Sequence, residues 1–318
     1  MLNYILKRII LLAPILLLVS LITFSILYII PGDPAETILT GPGGAADPKA
    51  VEEFRVKMGL DRPLHIQYLK WLNNVLHGNF GYSYMTEQPV LDPILPAFRA
   101  TLKLAVASMI LSLLISIPVG IISAIKQYSL IDNLSMTGAL LGVSMPNFWQ
   151  GLLLILLFAV YLGWFPVAGY GENGDFEHLV LPAITLGTSS AAITTRLMRS
   201  SMLETIRQDY IQAARAKGLS ERVVIGKHAL KNALIPVVTV AGLNFGYLLD
   251  GSVVVETIFA WPGIGKLMVG SIYMRDYPMI QGCILFVALV YVAVNLVVDI
   301  LYTFLDPRIR YETKAKAK

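Results

Sequence analysis

Six long apolar runs decide what this chain can fold into: residues 9–30, 102–124, 134–164, 179–198, 233–259 and 282–305. A helix needs roughly 20 apolar residues to cross the hydrocarbon core of a bilayer, and each run reaches that length. Backbone polar groups in lipid must find partners within their own segment. The expectation is an all-α membrane protein of six transmembrane helices. Composition agrees, with 56% hydrophobic residues, 14% charged residues and a mean hydropathy of +0.66; a soluble domain carries about 25% charged residues. The lone cysteine, Cys283, lies inside an apolar run. It excludes an intrachain disulfide framework or cysteine zinc site and reads as a small packed hydrophobe.

The third run is interrupted by Met145-Pro146-Asn147, which predicts a kink in its early part. The fifth is the most polar, with Asn244, Gly246, Asp250 and Gly251. The first follows Lys7 and Arg8, is 22 residues long and lacks a small-x-small cleavage signal, so it reads as a retained span rather than a signal peptide. Basic residues set the orientation, because short cytoplasmic segments carry the Lys/Arg excess. Lys126 lies on one side with Arg196, Arg199, Arg207, Arg215, Lys217, Arg222, Lys227 and Lys231, and so do Arg308, Arg310, Lys314, Lys316 and Lys318. Residues 165–178 hold no Lys or Arg, and 260–281 hold only Lys266 and Arg275. Both termini and the 202–236 segment are therefore predicted to be cytoplasmic. The net charge of +4 is distributed by loop and gives no support for a nucleic-acid partner.

The segment 31–101 is long enough to escape the charge rule. Gly41-Pro42-Gly43-Gly44 reads as a turn or flexible stretch. Asp47-Pro48 starts a helix over 48–58 that Gly59 ends. A second helix covers 64–76, with Tyr68 and Trp71 available for packing, and 78–83 follow as a turn. These pieces predict a small ordered cap on the outer face.

Between the fourth and fifth runs lies a polar, basic island, 202–236. Leu203, Ile206, Tyr210, Ala213 and Ala214 fall at helical spacing, with Arg207, Gln208, Gln212 and Arg215 around the other faces. Lys217-Gly218 supplies a basic last turn and a glycine suited to left-handed backbone. A short helix and sharp turn held between spans suits insertion into a groove on another protein. The plainer alternative is a basic anchor that only fixes topology.

These residues resemble the cytoplasmic loop of ABC importer permeases, whose pattern is Glu-Ala-Ala, three residues, Gly, and further on Ile-x-Leu-Pro. Gln212-Ala213-Ala214, Arg215-Ala216-Lys217 and Gly218 fill the first part, with Gln212 in place of Glu. The later position falls on His228-Ala229-Leu230-Lys231, and Pro236 comes five residues late. The wording from Tyr210 to Leu219 and from His228 to Pro236 is similar to the peptide/nickel branch. So are Gly59-Leu60-Asp61 with Pro63, Tyr68 and Trp71, Gly78 through Ser83, Pro146 with Phe148-Trp149, Gly163-Trp164-Phe165-Pro166, Glu256 with Phe259, Pro262-Gly263 and Gly265, and Leu305-Asp306-Pro307-Arg308.

The resemblance covers roughly residues 4–310. It implies a type I ABC importer permease subunit that moves di- or oligopeptides by alternating access, with nickel or a peptide-like solute such as glutathione as alternatives. It implies four kinds of partner: a second homologous permease, two ABC ATPase subunits, an extracytoplasmic solute-binding protein and the bilayer of a bacterial or archaeal cytoplasmic membrane. It also implies that Tyr210, Gln212, Ala213, Ala214, Lys217, Gly218 and Leu219 couple the chain to the ATPases. The implied division is a first span (1–30), an outer cap (31–101), a five-helix core (102–306) and a basic tail (307–318).

No enzyme site emerges. A phosphate-cradling loop needs Gly-x-x-x-x-Gly-Lys-Ser/Thr, and Gly263-Ile264-Gly265-Lys266-Leu267 lacks its first glycine and its hydroxyl residue. The chain is expected to bind no cofactor of its own, with ATP and magnesium in the partner subunits. His65, His77, His178 and His228 are scattered and form no metal motif. Polar groups within spans default to functional hypotheses. Asn244, Tyr247 and Asp250 share a stretch of the fifth run, and Asn147 and Gln150 flank the break in the third. They either line a translocation pathway or hydrogen-bond between helices. Asn295 and Asp299 share one face of the sixth run and read as a structural pair, and Glu256 either braces the following turn or meets an external partner. The alternative of another class is an ion-coupled secondary transporter using a deep carboxylate such as Asp250.

Overall fold

The computed structural model describes residues 2–29, 35–36, 39, 47–172, 174–250 and 252–305. Gly41-Pro42-Gly43-Gly44, the 307–318 tail and the side chains of Asp250 and Asp299 lie outside the described residues. Helix is the only regular element of more than one residue among them. Backbone contacts divide the chain into two units, Met1–Arg99 with Pro262–Ala293, and Ala100–Trp261 with Val294–Lys318.

In the first unit, α1 (Leu2–Ile29) is followed by α2 (Pro48–Met58) and α3 (Leu64–Leu76). The predicted bounds of α2 and α3 are those observed. Asp47 caps α2 by accepting from the Lys49 amide, and Gly59 closes it at φ 70°, a left-handed conformation cheap only for glycine. Tyr68 and Trp71 of α3 pack on Phe24 of α1, with ring centroids 5.4 and 5.7 Å apart, and the Tyr68 hydroxyl shares a 2.8 Å hydrogen bond with Ser20. After α3 comes α4 (Leu91–Ile125); Val90 just before it and its early residues Ile94 and Ala97 bury against Ile264, Met279 and Cys283. The helix begins 11 residues before the predicted start of the apolar run at 102. Arg99 and Thr101 interrupt the apolar pattern there without interrupting the backbone.

The second unit holds α5 (Leu130–Ser144), α6 (Asn147–Leu154) with a π-helical extension (Ile155–Tyr161), α7 (Phe176–Ile206), α8 (Asp209–Ala216), α9 (Leu230–Asp250) and α10 (Ser252–Ile258). The kink expected in the third run is a 106° bend that makes two helices of it. Proline disfavours helical backbone in the residue before it. Met145 is accordingly extended at φ −87°, ψ 120°, and Pro146 starts the next helix as its N-cap. The centre of this unit is α7, which packs against α5, α6, α9 and α10. Close approach depends on its small residues: a Cβ on Gly187 would sit 2.9 Å from the Ser108 carbonyl oxygen. Glu256 resolves as a brace, fully buried and accepting from Thr101 (2.6 Å) and Ser252 (2.8 Å), while its backbone carbonyl accepts from the Trp261 amide.

The remaining helices are α11 (Ile264–Met274) and α12 (Tyr277–Leu305). Among the described residues, Leu91–Ile125, Glu221–Leu249 and Tyr277–Val298 are long and apolar enough to cross a membrane, and the bent α5–α6 pair makes a fourth candidate. At 35 residues, α4 is about 52 Å long, well beyond the ~30 Å hydrocarbon core.

Candidate functional site

The island at 202–236 is not one helix. α7 ends at Ile206, Arg207 and Gln208 turn the chain, and α8 starts at Asp209. Gln208 is extended at φ −71°, ψ 147°, so the stripe expected to run from Leu203 through Ala214 is cut in two. The register of α8 therefore differs from the expectation. Ile211 and Ala214 are its buried residues, whereas Tyr210 and Ala213 face outward. The buried pair enters a cluster with Met198 and Met202 of α7, Ala124 of α4, and Val224, Ala229, Ala233 and Val237 on the way into α9. A short helix is thus seated by two apolar anchors on the junction of α7 and α9.

Its other face is open. Tyr210 is 43% and Leu219 40% exposed, and Gln212, Ala213, Ala216 and Lys217 are exposed between them. The Tyr210 hydroxyl accepts a 2.7 Å hydrogen bond from Asn232 of α9. Gly218 turns the chain at φ 77° with no heavy atom within 4 Å of where a Cβ would stand, so the backbone, not crowding, requires glycine. Arg215 straddles that turn and donates twice to Glu221, at 2.7 and 3.3 Å. Each partner holds the other charged, lowering the Glu221 carboxyl and raising the Arg215 guanidinium from their ordinary values. Past the turn, Glu221–Val223 forms one helical turn that widens to a π-helix over Val224–Ala229 and runs into α9. Motion of α8 therefore has a continuous helical path into α9 and a packed one into α7.

A pair missed in the sequence anchors the same end of the unit. Asp132, 2% exposed at the start of α5, accepts from Arg199 of α7 at 2.7 Å through both guanidinium donors. It also accepts from the Ser123 hydroxyl and from the Tyr128 amide at 2.9 Å. The Arg199 hydrogen bonds hold its carboxyl well below the usual carboxylate range, against the desolvation that would raise it. The sequence marks Arg199 only as inside positive charge; its partner is 67 residues away, and no local pattern links them.

The residues considered for a pathway separate into three groups. Asn147, Asn244 and Tyr247 line one cavity of about 310 Å3 with Met145, Pro146, Ser189 and Ser190. Gln150 lies one turn along α6 and donates to Thr188 at 2.5 Å instead. Asp250 shares α9, but its side chain is outside the described residues. Among the described residues no group of three or more His, Cys, Asp or Glu side chains is placed to hold a metal ion.

Comparison with known proteins bears on both regions. Residues 116–311 match the family described as binding-protein-dependent transport system inner membrane component, and residues 1–105 match the N-terminal family of the same transport-system membrane components. The chain is 45% identical over 312 residues to the glutathione transport system permease protein GsiC of Escherichia coli (strain K12), covering 98% of this chain and all of that protein. It is 45% identical over 336 residues to the dipeptide transport system permease protein DppB of Alkalihalophilus pseudofirmus, with the same coverage. Among solved structures, chains of the inward-facing MetNI methionine ABC transporter superpose with TM-scores of 0.55 and 0.56 at 18% and 19% identity. Each superposition spans 67% of this chain and 96% of the other. The all-helical fold is accordingly that of a type I ABC importer permease, and the chain belongs to the binding-protein-dependent transport system inner membrane component family.

Proposed function

We propose that the chain is the permease subunit of an ATP-driven importer of di- or oligopeptides, with α8 as the element that receives work from separate ATPase subunits. The carrying observation is the two-sidedness of α8: Ile211 and Ala214 locked into its own unit, Tyr210, Gln212, Ala213, Lys217 and Leu219 presented outward, and the Gly218 turn closing it. The mechanism is alternating access. Closure of the ATPase pair displaces α8, and α7 and α9 tilt with it because they share its apolar seat.

The substrate class rests on relatives whose names specify glutathione and dipeptides. Glutathione is thus the second reading, and nickel the third. Six spans with both termini cytoplasmic follow from the apolar runs and the basic loops. The partners are a second homologous permease, two ATPases that hold ATP and magnesium, and a binding protein outside, for which the cap at 31–101 offers a docking surface. The pathway draws on Asn147, Gln150, Asn244, Tyr247 and Asp250.

The test is affinity purification of tagged chain from its native membrane, beside Gly218→Trp. Wild type is expected to bring down ATPase subunits and a second permease with binding-protein-stimulated ATP hydrolysis. The variant is expected to lose the ATPases or the stimulation. Wild type purifying alone, or a variant indistinguishable from it, would refute coupling through this turn and favour an ion-coupled transporter.

A further inference from the structure

Non-helical backbone at membrane depth is tolerated where it is buried in protein or lines a water-filled cavity. The Met145-Pro146 break between α5 and α6 lines a cavity bounded by α7 and α9. The rest of its wall is chemically selective. Asn147, Ser189, Ser190, Asn244 and Tyr247 supply amides and hydroxyls, Val143, Leu186, Ile193 and Leu248 supply apolar surface, and among the described residues no lining side chain is charged. Two of these polar groups are unsatisfied: the Ser190 hydroxyl and the Asn244 side-chain nitrogen are buried without a hydrogen-bond partner among the described residues. Ser189 donates to Asn147 Oδ1 at 2.6 Å, which fixes that amide and leaves its nitrogen unbonded among the described residues. Buried polar atoms are almost always paired, and a native exception calls for a reason such as a ligand or ion that satisfies it.

We propose that this cavity is a contact subsite for the peptide group of the transported solute, with Asn244 and Ser190 taking its hydrogen bonds. The inference rests on the importer reading and deepens it. A side-chain amide presents one carbonyl and one N–H face, the complement of a backbone amide. A neutral wall grips acidic, basic and neutral peptides alike, whereas a bare transition-metal ion takes imidazole, thiolate or carboxylate. At about 310 Å3 the cavity is at the lower end of small-molecule sites, large enough for one peptide unit and its flanks.

The experiment uses the complete importer in proteoliposomes with its binding protein, measuring uptake per ATP hydrolysed for Ala-Lys, Ala-Glu and reduced glutathione. Loss of one hydrogen bond to cargo predicts that Asn244→Leu lowers this ratio about tenfold, by the same factor for each transported probe. Ser190→Ala should lower it by a smaller factor, and Asn244→Gln should recover most of the loss. A ratio unchanged within twofold in both Asn244→Leu and Ser190→Ala overturns the subsite, as does a loss that differs with cargo charge. Failure of Asn244→Leu to assemble with the second permease also overturns it and assigns Asn244 to that interface. If wild type carries none of the probes while ATPase subunits still co-purify, the subsite falls and the importer stands. If no ATPase co-purifies, the importer reading falls with it.

Discussion

Breaking the Asp132–Arg199 pair should destabilise the end of the second unit by an amount the structure bounds. Removing one partner of a buried ion pair costs about 3–5 kcal/mol, because the other charge is left uncompensated. Arg199→Met leaves Asp132 two of its four donors, Ser123 and the Tyr128 amide. The expected loss is therefore about half, roughly 2 kcal/mol. Asp132→Asn leaves a guanidinium that is 21% exposed and still facing a neutral acceptor, so its loss should be smaller, about 1 kcal/mol. The Asp132→Asn/Arg199→Met double variant should lose little more than Arg199→Met alone, a coupling of about 1 kcal/mol or more.

The assay is thermal unfolding of the detergent-purified complex, read by circular dichroism of its helices. The pH dependence has a fixed sign. The folded Asp132 value is depressed, so its contribution is fully present above the unfolded value near ~3.9 and is lost only as pH falls through the depressed folded one. The contribution of Asp132 to wild-type stability should consequently stay flat from pH 5 to 8. Strictly additive single effects, or an Arg199→Met loss under about 0.5 kcal/mol, would refute a cooperative buried pair.

Three further outcomes are expected. Gly218→Ala should cost about 1 kcal/mol, all of it backbone strain because the Cβ meets nothing, and Gly218→Asn should cost less; parallel melting curves decide. Gly282→Ala places a Cβ 2.3 Å from a Val90 methyl and should cost about 1–3 kcal/mol, relieved by Val90→Ala in the double variant. Asp175 caps α7 through the His178 amide and accepts from its ring at 2.6 Å; the His178 hydrogen bonds lower its carboxyl below the usual range. Protection of the first α7 amides in hydrogen exchange should hold down through the ordinary carboxylate range and fade only at lower pH, and fading at pH 5 would contradict that cap.

Much of the fold was legible because its signals are local. The caps of α2 were readable from Asp47-Pro48 and Gly59, the Gly218 turn from one glycine, and the break in the third run from Pro146. Other features depended on neighbours far along the chain. Hydropathy alone put the start of α4 too late, because Val90 and Ile94 are paired with Met279 and Cys283 rather than with lipid. A single periodic stripe through 203–214 became two helices, since burial of Ile211 and Ala214 against Val224 and Ala233 selected a different face. Helical spacing shows which residues share a face but not which face meets the core.

The sequence by itself determined the class: six apolar runs, loops that differ in their Lys/Arg excess and a short polar island between apolar runs, all set by the solvation of side chains and backbone in lipid. Only the tertiary structure decided the rest. It joined Asp132 to Arg199 across 67 positions, gathered Asn147, Ser190 and Asn244 around one cavity, and turned Glu256 into a buried brace. Those outcomes depend on how helices far apart in sequence pack side by side, and a partner's distance along the chain leaves no trace in local composition.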